Sequence, residues 1–437
     1  METIVNKIIA EKYSAYKNSG IQWLGEIPEH WKIESFRNIL NERNEKNHPI
    51  KTKEILSLSI GKGVTLYAEK TTNLDRFKDD FSQYKLAYKG DLVLNSMNMI
   101  VGAVGVSDYF GCVSPVYYTY YGGIDNSFTT KFYEYLFRCK TVQGVLYSLG
   151  KGLIAIDRGD GKYNTLRLKV SRDDLRSLRL PFPNQLEVIA IVNFLDHKTA
   201  LIDQAIGIKQ KQIELLKERR QILIHKAVTR GLNPNVKMKN SGVEWIGEIP
   251  EGWAVKPLKH LGYVFPGITG KSGEDFSKEY SEGMKPFIPF TNIFRYNVIS
   301  NEEFQYVKIR DTEKQNKVYK NDLLFLMSSE TLDDIGKCSI YLGDEKQLYL
   351  NSFCKGFRIT SSNIEPTFVN ALLLSDPYRS YFSVVGRGFT RMNIKQEYVN
   401  LLPILVPKLK EQNEIISYVN MVNSKIKSAI TLKEQEI

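Results

Sequence analysis

The chain has 437 residues, 42% of them hydrophobic and 25% charged, with a formal net charge of +11 from 60 Lys and Arg against 49 Asp and Glu. That length is too great for one hydrophobic core and predicts two or more domains, while the composition excludes both a disordered chain and a membrane span. The cationic excess favours a polyanionic partner, nucleic acid first. Cys112, Cys139, Cys338 and Cys354 form no Cys-x-x-Cys pair and only five histidines accompany them, so neither a zinc site nor a disulfide framework is expected. Met1 to Ala10 carries Glu2 early and has no long apolar run, which argues against a signal peptide or lipid anchor and for a cytoplasmic protein.

Along the chain, the first recognisable feature is a repeat. Lys17-Asn18-Ser19-Gly20-Ile21-Gln22-Trp23-Leu24-Gly25-Glu26-Ile27-Pro28-Glu29-His30-Trp31 returns at Lys239 to Trp253 with 11 of 15 positions identical, an offset of 222. Later echoes pair Lys89-Gly90-Asp91-Leu92 with Lys320-Asn321-Asp322-Leu323, Gly150-Lys151-Gly152-Leu153 with Gly386-Arg387-Gly388-Phe389, and Pro181-Phe182-Pro183 with Leu405-Val406-Pro407. Two domains sharing a frame but not their loops are therefore expected. Short apolar runs at Ile55 to Ile60, Leu92 to Leu94, Val113 to Tyr121 and Leu323 to Met327 read as strands, and Phe132 to Cys139 and Pro366 to Leu374 as helices. The tryptophans that open each repeat are expected to pin the domain to the preceding helix, since Trp rings bury much area at low entropy cost.

After the first domain, a four-three spacing selects Val188, Val192, Leu195, Thr199, Ile202, Ile206, Lys209, Ile213, Leu216, Arg220, Leu223 and Ala227. Adding 224 lands on Ile416, Val419, Asn423, Ile426, Ile430, Lys433 and Ile437, with matching polar interruptions at Thr199 with Asn423 and Lys209 with Lys433. A sustained 3.5 period is a coiled-coil seam, and two such repeats on one chain pair most economically as antiparallel helices about a pseudo-twofold axis. The expected fold is thus α+β: two tandem α/β domains separated by long helices that form an antiparallel coiled coil. At ~1.5 Å per residue the first helix is a rod of roughly 65 Å, enough to separate two DNA contacts by up to ~19 base pairs. The second helix stops at Ile437, the counterpart of Ile213, and the N-terminal segment Thr3 to Ala15 is expected to complete the bundle.

Catalytic signatures are missing. An amino-methyltransferase carries a Phe-x-Gly-x-Gly cofactor loop and a catalytic Asn or Asp followed by two prolines and an aromatic. Ser375-Asp376-Pro377-Tyr378 has one proline and follows a helical run, so it reads as a helix stop. Gly270-Lys271-Ser272 lacks the first glycine of a phosphate loop, which falls at Phe265. No Glu-x-Lys of a Mg-dependent nuclease occurs, and His197 and His225 read as solvated positions outside the seam.

The opening repeat, the heptad helix ending Val228-Thr229-Arg230-Gly231-Leu232-Asn233-Pro234, and the return of Asn240-Ser241-Gly242 with Trp245 resemble type I restriction-modification specificity subunits over nearly the whole chain. The resemblance implies an N-terminal helical segment at 1–16, target recognition domains at 17–183 and 232–407, a spacer and docking helix at 184–231, and a short distal helix at 408–437. It further implies a non-catalytic subunit whose two domains each read half of a split, asymmetric double-stranded DNA site. Two methyltransferase subunits and ATP-dependent restriction/translocase subunits are the implied partners. S-adenosylmethionine, ATP and Mg2+ would belong to those partners, with no cofactor in this chain and no membrane association. The alternatives are a self-sufficient DNA methyltransferase or nuclease with an unrecognised site and, with no aromatic RNA platform in evidence, an RNA-binding adaptor.

Phosphate contacts come from Lys and Arg and base reading from Arg, Lys, Asn or Gln on variable loops. The candidates are Lys62, Lys151, Arg158, Lys162 and Arg167 in the first domain and Lys271, Arg295, Arg387 and Arg391 in the second.

Overall fold

The computed structural model describes residues 13–70, 80–123, 127–152, 168–301, 304–310 and 312–437. Its contacts divide the chain into two compact units, Met1–Gln204 and Ala205–Ile437.

The first unit opens with a short antiparallel hairpin, Tyr16–Asn18 against Glu26–Pro28. The Asn-Ser-Gly of the repeat shapes its turn: Gly20 sits at φ 71 and donates its N–H to Asn18 Oδ1 at 2.8 Å, and Ile21 N–H donates to Ser19 Oγ at 3.1 Å. The central sheet has the order β1 (Asn41–Arg43), β4 (Tyr117–Tyr121), β2 (Leu92–Asn95), β3 (Val104–Val106), all antiparallel. The apolar run expected from Val113 to Tyr121 is two strands, because Ser114-Pro115 breaks the ladder between Gly111–Val113 and β4. Helices α1 (Ser127–Arg138) and α2 (Lys140–Leu149) share a core with this sheet through Phe132, Tyr133, Phe137, Val142 and Leu146. Arg179–Phe182 pairs with Lys32–Ser35, and α3 (Gln185–Arg230) begins three residues later.

The second unit repeats the frame. Met238–Asn240 and Glu248–Pro250 form the same hairpin, with Gly242 N–H on Asn240 Oδ1 at 2.7 Å. Its main sheet runs β5 (Gly262–Pro266), β9 (Cys354–Ile359), β7 (Leu323–Leu326), β8 (Cys338–Tyr341), β6 (Val298–Ile299), so the first four strands follow the order of the first unit. A second sheet built on Met284–Ile288 is added here. Helices α4 (Pro366–Leu373) and α5 (Asp376–Val385) line the core, Ala254–Pro257 pairs with Pro403–Val406, and α6 (Leu409–Gln435) ends the chain. All four cysteines are free thiols, three of them buried.

The Lys-Gly-Asp-Leu echo becomes one device built twice. Gly90 at φ 88 and Asn321 at φ 74 take the left-handed conformation of the turn, which Gly adopts freely and Asn tolerates. The following aspartate is almost fully buried and closes the turn by accepting a backbone N–H, from Tyr88 at 2.9 Å and from Tyr319 at 2.7 Å. An arginine then binds each carboxylate with two nitrogens: Arg43 to Asp91 at 2.6 and 3.1 Å, and Arg358 to Asp322 at 2.9 and 2.7 Å. Arg43 lies over the Tyr88 and Tyr121 rings, and Arg358 over Tyr319 and Phe265. The arginine stands on β1 in one unit and on β9 in the other. These strands occupy the first and second places in the sheet order, so the same clamp is reached from either member of one strand pair.

A second shared bond joins helix to closing strand. Tyr133 Oη donates to Pro181 O at 2.8 Å, and Tyr378 Oη donates to Pro403 O at 2.7 Å. In Ser375-Asp376-Pro377-Tyr378, α4 ends and α5 begins with Ser375 at its N-cap, while Tyr378 is 0% exposed. The segment is a helix boundary as expected from its single proline, and its tyrosine is a core hydroxyl.

The repeated tryptophans do more than contact the preceding helix. Trp253 is buried with Ala227 and Val228 at the end of α3, as expected, but Trp245 stacks on Tyr381 at 4.9 Å. In the first unit Trp31 Nε1 donates to Glu187 Oε2 at 3.2 Å, and His30 Nε2 lies 2.9 Å from Glu187 Oε1. That motif therefore anchors the helix that follows its domain. A buried carboxylate bonded to His30, Trp31 and Asn184 fixes the helix start at a point an apolar contact would leave free to slide.

The heptad pattern is divided among neighbours. Val188 and Val192, expected on the helix–helix seam, are core residues of the first unit, packed in a cluster with Phe36 and Leu180. Helix α3 starts against its own domain, and that packing claims its first turns. Leu195 and Ile206 are half-buried, and Ile202 is 58% exposed, which removes it from a closed seam. Within the second unit the antiparallel pairing holds: Lys209 bonds Glu436 at one end, and Ile224, Ala227 and Val228 share a cluster with Ile415, Ile416 and Val419 at the other. Ile213 is 8% exposed and Leu216 half-buried along this stretch. Of the matched polar interruptions, Lys209 and Lys433 meet, since both bind Glu436 Oε2.

On α6, Val419 and Ile426 are buried as expected, whereas Ile416 and Ile430 are half-buried. The full buried stripe is Gln412, Ile415, Val419, Val422 and Ile426, because α6 also packs on α4 of its own domain. Gln412 lies in that interface with its polar atoms bonded: Nε2 donates to Asn363 O and Pro407 O, and Oε1 accepts from Glu365 N–H. His225, expected to be solvated, is half-buried, and burial lowers its pKa.

Candidate nucleic-acid interface

The echoed glycine loops occupy equivalent places. Lys151 and Lys169 exchange two backbone hydrogen bonds of 3.0 Å, and Arg387 and Asn393 exchange bonds of 3.1 and 2.8 Å. Lys169 and Asn393 stand at the 224 offset, whereas Lys151 and Arg387 stand 236 apart, so the two bridges close loops that differ by 12 residues. The same frame thus holds a long loop in one unit and a short one in the other. Arg158, Lys162 and Arg167 belong to the long loop and lie outside the described residues. So does most of the N-terminal segment, residues 3–12.

At the base of the first loop is a cleft of about 650 Å³ whose lining includes Lys85, Lys151, Lys169 and Arg172. Lys151 is 78% exposed and lies 3.1 Å from Asp174; Arg172 lies 2.9 Å from Glu42. Lys85 is the buried member, its ammonium donating to Tyr117 O at 2.9 Å. Burial first, then the neighbouring Arg172 and Lys169 charges, lower its pKa. Cations crowded around a buried lysine form a site that an anion relieves. Lys62 stands apart, exposed at the tip of the hairpin Leu56–Ser59/Gly63–Leu66 beside Ile60.

In the second unit Arg295 and Arg391 line a cleft of about 430 Å³ with Phe290, Phe294 and Phe353. These rings are 44–52% exposed, and the Arg391 guanidinium lies 5.6 Å from the Phe353 centroid. Arg387 is exposed on the adjoining loop, with Nη1 donating to Gly386 O at 2.9 Å and to Val384 O. Lys271 departs from the expectation of a free surface cation. Its side chain is 8% exposed and its ammonium binds both oxygens of Glu313, at 2.9 and 2.6 Å. The neighbouring Ser272 and Asp275 form a capping box, so Gly270-Lys271-Ser272 is a structural turn.

The structure therefore brings Lys151 together with Lys85, Lys169 and Arg172, and Arg295 together with Arg391. Lys85, Lys169, Arg172 and the phenylalanines were not singled out in the sequence. Lys169 was within reach of the repeat, since it shares the offset of Asn393. Lys85 begins an apolar strand, and nothing local distinguishes it.

Two copies of a sheet-and-helix frame, each presenting cations beside a loop of its own length, and an antiparallel helix pair define a duplicated recognition protein. Residues 250–435 match the family described as type I restriction modification DNA specificity domain. The chain is 23% identical over 430 residues to a protein assigned as the MjaX type I restriction enzyme specificity subunit of Methanocaldococcus jannaschii, covering 94% of this chain and 91% of that one. It is 25% identical over 194 residues to the StySPI type I restriction enzyme specificity subunit of Salmonella potsdam, a match covering 43% of this chain and only 40% of that relative. Among solved structures, the HsdS subunit from Thermoanaerobacter tengcongensis shares the fold at TM-score 0.51 and 13% identity, with 94% of both chains covered. A chain from a study of complex assembly and conformational transition of the type I R-M system shares it at TM-score 0.59, with the same identity and coverage. The resemblance to type I restriction-modification specificity subunits holds.

Proposed function

We propose that this protein is the DNA-recognition subunit of a type I restriction-modification complex. Each domain reads one half of a bipartite, asymmetric double-stranded site, and the helices set the spacing and dock the modification and restriction subunits. The observation that carries the reading is the pair of equivalent bridges, Lys151 with Lys169 and Arg387 with Asn393, which hold unlike loops on alike frames. A shared frame supplies a common docking geometry, and divergent loops supply two different base sequences. The domain limits proposed are 17–183 and 232–407, with helices at 184–231 and 408–437. Methyl transfer from S-adenosylmethionine and ATP-driven, Mg2+-dependent restriction belong to the partners, and the complex works in the cytoplasm.

Methylome sequencing of a host carrying the system tests this directly, with a split motif of two unlike halves as the expected result. In the companion assay, purified chain, DNA and labelled S-adenosylmethionine transfer no label until modification subunits are added. Transfer by the chain alone would overturn the proposal in favour of a self-sufficient methyltransferase.

A further inference from the structure

The short loop of the second unit, Gly388 to Met392, carries Phe389 with its ring fully exposed, at 101%. Its exposure exceeds that of Phe290, Phe294 and Phe353, each of which is about half covered within the neighbouring cleft. A phenyl ring held entirely in water forgoes the burial that normally places phenylalanine in a core. The loop does not let it fold back freely. Arg387 and Asn393 close the base by two backbone bonds, and a Cβ at Gly388 would run into Arg391 O, so the backbone there fits glycine. Arg387 and Arg391 flank the ring two residues to either side and are both exposed. An apolar tip on a loop that also carries two exposed arginines matches a double helix chemically: phosphates surround an apolar base stack, and proteins that kink DNA insert Phe or Leu between base steps while arginines hold the groove.

We propose that Phe389 is a wedge that enters the base stack of the half-site bound by the second domain, with Arg387 and Arg391 gripping the backbone on either side. The inference rests on the DNA-recognition reading above. It assigns to this half-site a sequence preference set by how easily one base step unstacks, in addition to any direct base contacts. The echo in the first unit, Leu153 after Gly152, lies outside the described residues.

The test uses the full chain assembled with its modification subunits, on duplexes carrying 2-aminopurine at successive positions of the half-site located by methylation mapping. One step away from the methylated base should brighten several-fold on binding. Phe389→Ala should abolish that signal and weaken binding about tenfold, within the range for losing one specific feature of a site, while Phe389→Leu should retain most of both. Because the ring is fully exposed, an unchanged thermal midpoint is expected for both variants. Three results overturn the wedge: brightening that survives Phe389→Ala, no brightening at any step although the wild type binds, or a Phe389→Ala defect that appears as weaker subunit assembly without DNA. Failure of the wild-type assembly to bind DNA at all would instead sink the recognition reading itself, and the wedge with it.

Discussion

Removing the carboxylate of Asp322 isolates the contribution of the arginine clamp. Asp322 is 2% exposed and Arg358 25% exposed, joined by bonds of 2.7 and 2.9 Å. Truncating one member of a buried ion pair costs ~3–5 kcal/mol because the other charge is left uncompensated. Arg358 retains Lys317 O at 2.8 Å and its place over Tyr319, and a quarter of its surface reaches water, so the loss in Asp322→Ala should be about 2–3 kcal/mol. Arg358→Met strands a carboxylate that, among the described residues, keeps the Tyr319 N–H, and should cost about 3–4 kcal/mol. The double variant should fall well short of the sum, giving a coupling of about 2 kcal/mol. With two units in the chain, global unfolding does not report one site cleanly. Hydrogen exchange of peptides covering Leu323–Leu326 and Cys354–Ile359 should read the loss locally, with Leu92–Asn95 in the first unit as the control. A coupling below about 0.5 kcal/mol would refute the clamp as a stabilising element, since that is the range of an exposed surface pair.

Further outcomes follow from the surface and from a half-buried histidine. Replacing Lys151 and Arg387 together by alanine should reduce the slope of log binding constant against log salt by about 1.8, at ~0.9 for each phosphate that is no longer neutralised; an unchanged slope removes both from the interface. His225 has its pKa lowered by burial, partly offset by Asp376 and reinforced by Arg230 and Lys226. Folding therefore favours the neutral ring, so its contribution to stability is present above its ordinary value of 6.5 and is lost as pH falls from there through the lower folded value. His225→Gln should flatten the fall of thermal midpoint on acidification, and an equally steep fall would show that another group governs it.

The duplication was readable in the sequence because turn and anchor residues have few substitutes. Asn18-Ser19-Gly20 and Asn240-Ser241-Gly242 build the same side-chain-to-backbone turn, and Asp91 and Asp322 close the same loop. Local chemistry of that kind survives as letters. The helices were also legible as a period, and the meeting of Lys209 with Lys433 at Glu436 follows from a register kept through the duplication. Which neighbour each heptad position faces was not legible. Val188 and Val192 carry the seam spacing yet belong to a domain core, since a 3.5 period records that a side is apolar and not what covers it.

The interface divides in the same way. Composition and loop echoes by themselves pointed to cations on two variable loops, because charge and glycine spacing are local properties. Only the tertiary structure placed Lys85 and Arg172 beside Lys151, withdrew Lys271 into an ion pair with Glu313, and left Phe389 exposed between two arginines. Exposure and partnership are set by what the rest of the chain brings to each side chain. Lys151 and Lys271, both expected as surface cations, therefore had different fates that no pattern along the chain encodes.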